Sequence, residues 1–229
     1  MFSNFCEILF VDFKNDPFQD LIELKSLDLR KNNIAALDES LFRNLKQLRA
    51  LYLSGNLITT IPPNCFTKSP FLDHLELGTY KMYNMAVNYS NPIIETPVLS
   101  EIIVKNNSIT FLVVESTRIR QLPNFQDMGG LKYMKLRGNR ISSLKVNSFW
   151  GLSELVKLNL RDNKISYVPR GIFDQQLKLR RLDLSLNRIS GLPESVFDTV
   201  LSEICIRSCR YANRSKLSSF CNALYTNFT

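Results

Sequence analysis

The chain has 229 residues, 45% hydrophobic and 22% charged, with 8 Gly and 9 Pro, a composition that excludes collagen-like, disordered and membrane-bundle classes. The most apolar run, residues 109–114, ends at Glu115, far short of the roughly 18–20 apolar residues that span a bilayer. The formal charge of +8 is uneven: residues 1–117 hold 10 Lys/Arg against 13 Asp/Glu, a net of −3, and residues 118–229 hold 19 against 8, a net of +11.

Residues 1–13 carry Glu7 and Asp12 but no Lys or Arg, so they lack the cationic start of a secretory leader, and no signal peptide is visible. Phe2, Phe5, Ile8, Phe10 and Phe13 read as a degenerate first coil that has been cut into, giving residues 1–17 as a degenerate or truncated N-terminal coil.

A repeat follows. Leu24, Leu27, Leu29, Asn32 and Ile34 obey L-x-x-L-x-L-x-x-N-x-I, and the spacing returns 24 residues later at Leu48, Leu51, Leu53, Asn56 and Ile58. It returns at Leu131, Met134, Leu136, Asn139, Ile141; at Leu155, Leu158, Leu160, Asn163, Ile165; and at Leu179, Leu182, Leu184, Asn187, Ile189. Looser copies are Leu72, Leu75, Leu77 with Tyr80, and Leu201, Ile204, Ile206 with Cys209. A phased aromatic supports the register, with Phe18, Phe42 and Phe66 and again Phe149, Phe173 and Phe197 spaced by 24. At these residues the chain resembles the leucine-rich repeat family, from about Phe18 to Ile206.

Side chains two apart in an extended segment share a face, so each L-x-L block is a short strand with one buried side, and successive blocks stack as parallel strands. Only about 11 to 13 residues return the chain to the next block, too few for a long helix. The expected fold is an α/β-type solenoid, mostly β: a leucine-rich repeat horseshoe of about eight repeats over residues 18–206. Its concave side is a parallel sheet and its convex side turns and short 3₁₀ pieces. Each phased Asn needs partners where it is buried, and its amide can bond the backbone of its own and the neighbouring coil. The Phe rings fill the convex half of the core, and Pro62, Pro123, Pro169 and Pro193 mark where the chain leaves the inner turn.

Between residues 72 and 131 the period breaks. Leu99, Ile102, Val104, Asn107, Ile109 competes with Ile109, Leu112, Val114, Thr117, Ile119, and the second is preferred because Ile109 precedes Leu131 by a normal 22 residues. One long irregular repeat near 72–108 then carries a bulging loop, serving either interaction or simple tolerance of insertion. Residues 207–229 read as a C-terminal cap remnant or linker. Cys205, Cys209 and Cys221 resemble a cysteine-bearing cap without its usual four cysteines, holding one disulfide or remaining free thiols, and Cys65 reads as a small buried filler.

His74, the single histidine, reads as solvent-facing, with Asp73 and Glu76 nearby. Paired zinc-spaced cysteines, a glycine-rich phosphate loop and a Ser/His/Asp set are all missing; the expectation is no enzyme, no metal and no cofactor.

The third, fifth and seventh residues of each block project from the concave sheet. They bring Tyr133, Lys135, Arg137, Lys157, Arg161 and Arg181 together as a basic patch with an aromatic anchor, partly compensated by Asp162 and Asp183. Such a patch suits an acidic protein or a sulfated polysaccharide; the alternative is a solvated charged face. Nucleic acid has charge alone in its favour and no motif. Repeats of 22 to 24 residues with a phased Phe look like the extracellular type, and residues 116–197 are similar to ectodomains of leucine-rich repeat G-protein-coupled receptors. That resemblance implies an extracellular protein-binding module, a receptor ectodomain or a fragment of one. The competing reading is an intracellular scaffold docking a signalling protein. Asn88, Asn106, Asn213 and Asn227 stand in glycosylation sequons compatible with secretion.

Overall fold

The computed structural model describes residues 17–78 and 108–197, apart from 63, 123, 124, 126, 127, 194 and 195, together with the backbone of residues 2–4 and 203–205. Every L-x-L block forms a strand. They are β1 (Phe2–Asn4), β2 (Ser26–Asp28), β3 (Ala50–Tyr52), β4 (His74–Gly78), β5 (Phe111–Glu115), β6 (Tyr133–Lys135), β7 (Lys157–Asn159), β8 (Arg181–Asp183) and β9 (Glu203–Cys205). All pair in parallel and in sequence order in one nine-stranded sheet. The frame led by Ile109 forms a strand, Phe111–Glu115, which pairs with both β4 and β6, and the competing frame over 99–107 lies outside the described residues. The bulging loop near 81–108 lies outside the described residues, except for Ser108, whose hydroxyl donates to the Pro70 carbonyl at 2.6 Å.

Among the described residues the convex return contains no helix. It is built from turns that each carry the i→i+3 bond of a 3₁₀ turn. Leu45 N donates to Phe42 O at 3.1 Å and Leu48 N to Leu45 O at 3.2 Å, and the pattern recurs at Leu152 and Leu155. Phe42, Leu45 and Leu48 are all buried, so inward-pointing residues fall every third position and the turns follow one another without merging into a helix. Behind them the phased rings stack: Phe18 on Phe42 at 6.4 Å, Phe42 on Phe66 at 5.7 Å, Phe149 on Phe173 at 5.7 Å and Phe173 on Phe197 at 6.2 Å. Cys65 is buried among them, and burial pushes its thiol up to about 12.

The phased Asn side chains tie coil to coil. Asn139 Nδ2 donates to Leu136 O in its own coil at 2.9 Å and to Val114 O in the preceding one at 2.7 Å, while its Oδ1 accepts from Thr117 N and Ile119 N. Asn56, Asn163 and Asn187 repeat both halves of the arrangement. Thr117 stands in the Asn position of its coil, and its hydroxyl is satisfied by the next coil's Asn139 Oδ1 at 2.9 Å. Removing such an amide would strand several buried groups, each worth about 1–3 kcal/mol when unsatisfied.

A second constraint recurs one residue earlier. In the six coils where it is described, the eighth position is in the left-handed region: Lys31 (φ 56°), Gly55 (79°), Ser116 (58°), Gly138 (72°), Asp162 (57°) and Leu186 (56°). That turn aims the eighth N–H at the next coil, as in Lys31 N to Ser54 O at 2.9 Å, Gly138 N to Arg161 O at 3.0 Å and Asp162 N to Ser185 O at 2.9 Å. Glycine suits the position and appears there twice. At Gly78 (φ 146°) the requirement is closeness as well, because an added Cβ would meet Glu115 O at 2.4 Å.

Leu186 carries a side chain at this turn while 44% exposed, so it bears the left-handed cost with little burial in return. Leu186→Gly should therefore stabilise the fold by about 0.5–1 kcal/mol, whereas Leu186→Ala, which keeps Cβ, should not. Urea denaturation of both variants checks this, and a Gly variant no more stable than the Ala variant would refute it.

Candidate functional site

The concave wall carries side chains at three phases, and the strand register sets which of them meet. Tyr133, Lys157 and Arg181 pair in one row across β6, β7 and β8, and Lys135 pairs with Asn159. Arg137 and Arg161 follow on the same two strands, joined through the Gly138 N to Arg161 O bond. All six residues expected to form the patch therefore stand on one wall, with neighbouring strands about 4.8 Å apart.

Aromatic side chains extend this patch further than a single anchor. Tyr52 packs on His74 at 4.9 Å, His74 stacks on Phe111 at 4.5 Å with an interplanar angle of 9°, and Phe111 meets Tyr133 at 5.8 Å. Cations close both ends: the Arg30 guanidinium lies 5.2 Å from the Tyr52 ring and Lys157 Nζ lies 5.3 Å from the Tyr133 ring, while Lys135 Nζ lies 5.4 Å from Phe111. Such contacts contribute about 0.5–1 kcal/mol each at exposed sites. The result is a row of four rings across β3 to β6, stacked face to face at His74 and Phe111 and tilted by 47° and 40° at its two ends. The third-position row signalled it in sequence, since His74, Phe111 and Tyr133 are successive members.

This stack corrects the reading of His74 as solvent-facing. The ring does sit on the concave side, but it is half-buried between Tyr52 and Phe111 and its Nε2 is enclosed without a hydrogen-bond partner. Burial lowers its pKa below 6.5, with Lys135 adding to the effect and Glu76 and Asp73 opposing it.

Charge on the wall changes sign along the solenoid for a local reason. On β2 the fifth-position Asp28 accepts Arg30 N at 3.0 Å and grips the Arg30 guanidinium through Nε and Nη2, the latter at 2.6 Å. On β7 Asn159 takes the same place, and its Oδ1 accepts Arg161 N at 2.9 Å. The backbone bond is kept and the counter-charge is lost. Arg161 turns instead to the next strand, donating from Nη1 to Ser185 Oγ at 2.8 Å. Asp183 accepts from Ser185 N at 2.9 Å and from Ser185 Oγ at 2.6 Å, so it reaches Arg161 through the Ser185 hydroxyl.

The patch also has an acidic border on β4 and β5. Glu76 accepts the Ser54 hydroxyl at 2.6 Å. Glu115 has its pKa raised by burial, with Lys135 and Arg137 pulling it back down and Glu76 adding to the rise. These carboxylates, rather than Asp162 and Asp183 alone, bound the basic area on its N-terminal side. Asn88, Asn106, Asn213 and Asn227, and the side chains of Cys205, Cys209 and Cys221, lie outside the described residues. Among the described residues no group of three or more His, Cys, Asp or Glu could hold a metal ion, and no helix is long and apolar enough to cross a membrane.

The folded His74 resists a proton that the unfolded chain accepts near pH 6.5. Its contribution to stability is therefore complete above about pH 6.5 and is lost as pH falls from there through the folded pKa. His74→Phe keeps a ring in the stack and should flatten this acid-side decline. Urea midpoints at pH 7.5, 6 and 5 test it, and parallel declines in the two proteins would exclude the assignment.

With the geometry in place, known proteins give the site its context. The family described as leucine rich repeat matches residues 22–79, 97–165 and 153–202. Tsukushi of Gallus gallus is 31% identical over a segment covering 58% of this chain and 39% of that protein, so the chain spans about two fifths of that relative's length. Among solved structures, the glycosylated Toll–Spatzle complex of Drosophila aligns with a TM-score of 0.63 at 24% identity, covering 82% of this chain and 26% of that chain. The complex of Latrophilin 3, Unc5D and FLRT2 aligns at 0.56 and 19% identity, covering 82% and 74%. These likenesses are of fold, one whose members generally act as non-catalytic protein-interaction modules. The matched residues make up most of the chain, and the protein belongs to the leucine-rich repeat family.

Proposed function

We propose that this protein is an extracellular, non-catalytic binding module, a receptor ectodomain or part of one, whose concave wall over β5 to β8 holds an acidic polypeptide ligand. The observation that carries the reading is the exchange of Asp28 for Asn159 at equivalent positions, which leaves Arg161 without a carboxylate on its own strand. With Arg137 in the adjacent position, the pair offers guanidinium forks that match carboxylate geometry. The neighbouring ring stack argues for a polypeptide over a sugar chain at this wall. A sugar packs its apolar side on an open ring face, and here neighbouring rings and the cations Arg30, Lys135 and Lys157 crowd one another along the row. Ring edges carry positive quadrupole charge and phenol groups donate hydrogen bonds, so both complement carboxylates and peptide carbonyls.

The likeness to Toll in complex with Spatzle, and to a complex containing FLRT2 and Unc5D, supports a protein ligand. The similarity to Tsukushi and the repeat length of 22 to 24 support an extracellular setting. In that setting Asn88, Asn106, Asn213 and Asn227 are candidate glycan acceptors, and one disulfide forms among Cys205, Cys209 and Cys221.

Binding is tested with a labelled peptide of alternating Glu and Tyr titrated against the folded protein. Asn159→Asp, which restores the counter-charge of β2, should weaken binding by about tenfold, and the double variant Arg137→Glu, Arg161→Glu should abolish it. Unchanged affinity in both would remove the patch from the ligand site. Compartment is tested by expressing the full chain through the secretory pathway. Glycosidase-sensitive mass on at least one sequon and fewer than three reactive thiols in the C-terminal segment are expected; an unglycosylated product with every thiol free would favour an intracellular scaffold.

A further inference from the structure

A second basic surface, separate from the concave wall, runs along the flank where the chain leaves the inner turn. The tenth position of a coil follows the ladder Asn directly. In the four coils from β5 to β8 it is Arg118, Arg140, Lys164 and Arg188, whereas in the two coils of β2 and β3 it is Asn33 and Leu57. Arg140, Lys164 and Arg188 are exposed and Arg118 is half-buried. The eleventh residue of each coil, Ile119, Ile141, Ile165 and Ile189, is at most 5% exposed. The twelfth, Arg120, Ser142, Ser166 and Ser190, is exposed again. In the coils of β6 to β8 this is the period-2 alternation of an extended segment, so the tenth and twelfth side chains share the outer face, whereas Arg118 takes the left-handed region (φ 61°).

The backbone fixes the spacing of this row. Arg140 N donates to Ile119 O, Lys164 N to Ile141 O and Arg188 N to Ile165 O, each at 2.8 Å. The same three coil boundaries are bridged once more where Ile119 N, Ile141 N and Ile165 N donate to the next coil's ladder Asn. Three cations, Arg140, Lys164 and Arg188, thus stand in a line on coils about 4.8 Å apart, a ridge of about 10 Å, with Arg118 on the coil before them. Neither row contains an acidic residue in any of these four coils, and among the described residues none of the four cations has a salt bridge. Like charges held so close repel one another, and a bound anion relieves that repulsion.

The geometry points to this flank as a binding site for a linear sulfated polysaccharide, independent of the ligand on the concave wall. A sulfate stays ionised at any physiological pH and accepts the fork of an Arg as well as a Ser hydroxyl, the two donor types that alternate across the ridge. A line one residue wide follows a single chain of anions. Duplex nucleic acid, with one charge per about 1.7 Å of axis shared between two strands, would call for a broader surface.

Heparin is the probe. Immobilised heparin should retain the wild-type protein at about 0.15 M salt, and Arg140→Ala, Lys164→Ala, Arg188→Ala should lower affinity at least tenfold. The slope of log affinity on log salt should fall by about two to three ion contacts in that variant. Arg137→Ala, Arg161→Ala on the concave wall should stay within about threefold of wild type, which keeps this outcome distinct from failure of the acidic-polypeptide reading. Lys164→Glu alone, expected to cost at least threefold, serves if the triple variant does not fold. Wild-type heparin affinity in the ridge variants would overturn the assignment. So would a larger loss in the concave variant, equal binding of fully desulfated heparin, or equal competition by duplex DNA at matched charge.

Discussion

The structure depends on one repeated act: each coil hands a fixed set of backbone and Asn hydrogen bonds to the next. The eighth N–H, the tenth N–H and the ladder Asn all bond across the coil boundary at constant phase. No single coil could satisfy these groups alone, and an unsatisfied one costs about as much as many folded-state interactions contribute. The arrangement therefore forces phase to be conserved from coil to coil even where composition is not. Thr117 shows the tolerance of the scheme, since its coil lacks the Asn yet remains in register because Asn139 accepts both its N–H and its hydroxyl.

Once phase is conserved, the surface becomes a set of straight rows, and the chemistry of a row is the chemistry of residues 22 to 24 apart in sequence. This converts the net of +11 in the second half of the chain into two specific places. On the concave wall, carboxylates that would neutralise the row are present at Asp28 and replaced at Asn159, with the same backbone bond in both. On the flank, neutral Asn33 and Leu57 give way in sequence to Lys81 and then to Arg118, Arg140, Lys164 and Arg188. On the wall the change falls between β5 and β6, just past Glu76 and Glu115, which stand on β4 and β5.

Much of this was legible from spacing. Leucines at i and i+2 with Asn at fixed phase specify parallel strands and a ladder, and the rows through Tyr133 and through Arg137 follow from counting alone. What counting missed depended on contacts between rows rather than within them. His74 is a third-position residue like Ser26, and nothing in its own coil says that Tyr52, a fifth-position residue of the preceding strand, tilts across to cover it. The left-handed eighth position was partly visible in Gly55 and Gly138, but Lys31, Asp162 and Leu186 conceal it because an L-residue there pays strain that composition does not display. The preferred frame for β5 was readable from the distance to Leu131, whereas the longer pairing of β4 with β5, down to Gly78 against Glu115, rests on an approach that a Cβ would block.

The two basic surfaces differ in what they demand of a ligand, and the difference is physical rather than a matter of net charge. On the concave wall Arg161 is already engaged with Ser185, Lys157 lies over a ring, and Glu115 borders the area. A ligand there must displace or extend existing interactions, which favours a partner with defined shape and carboxylates at set positions. On the flank Arg140, Lys164 and Arg188 project, exposed, from an extended backbone clamped on both sides, with no carboxylate in their rows. Binding there gains from counter-charge whatever the detailed shape, and it weakens steeply with salt. A solenoid can offer both at once because an inner wall and an outer flank share the same coils but no side chains.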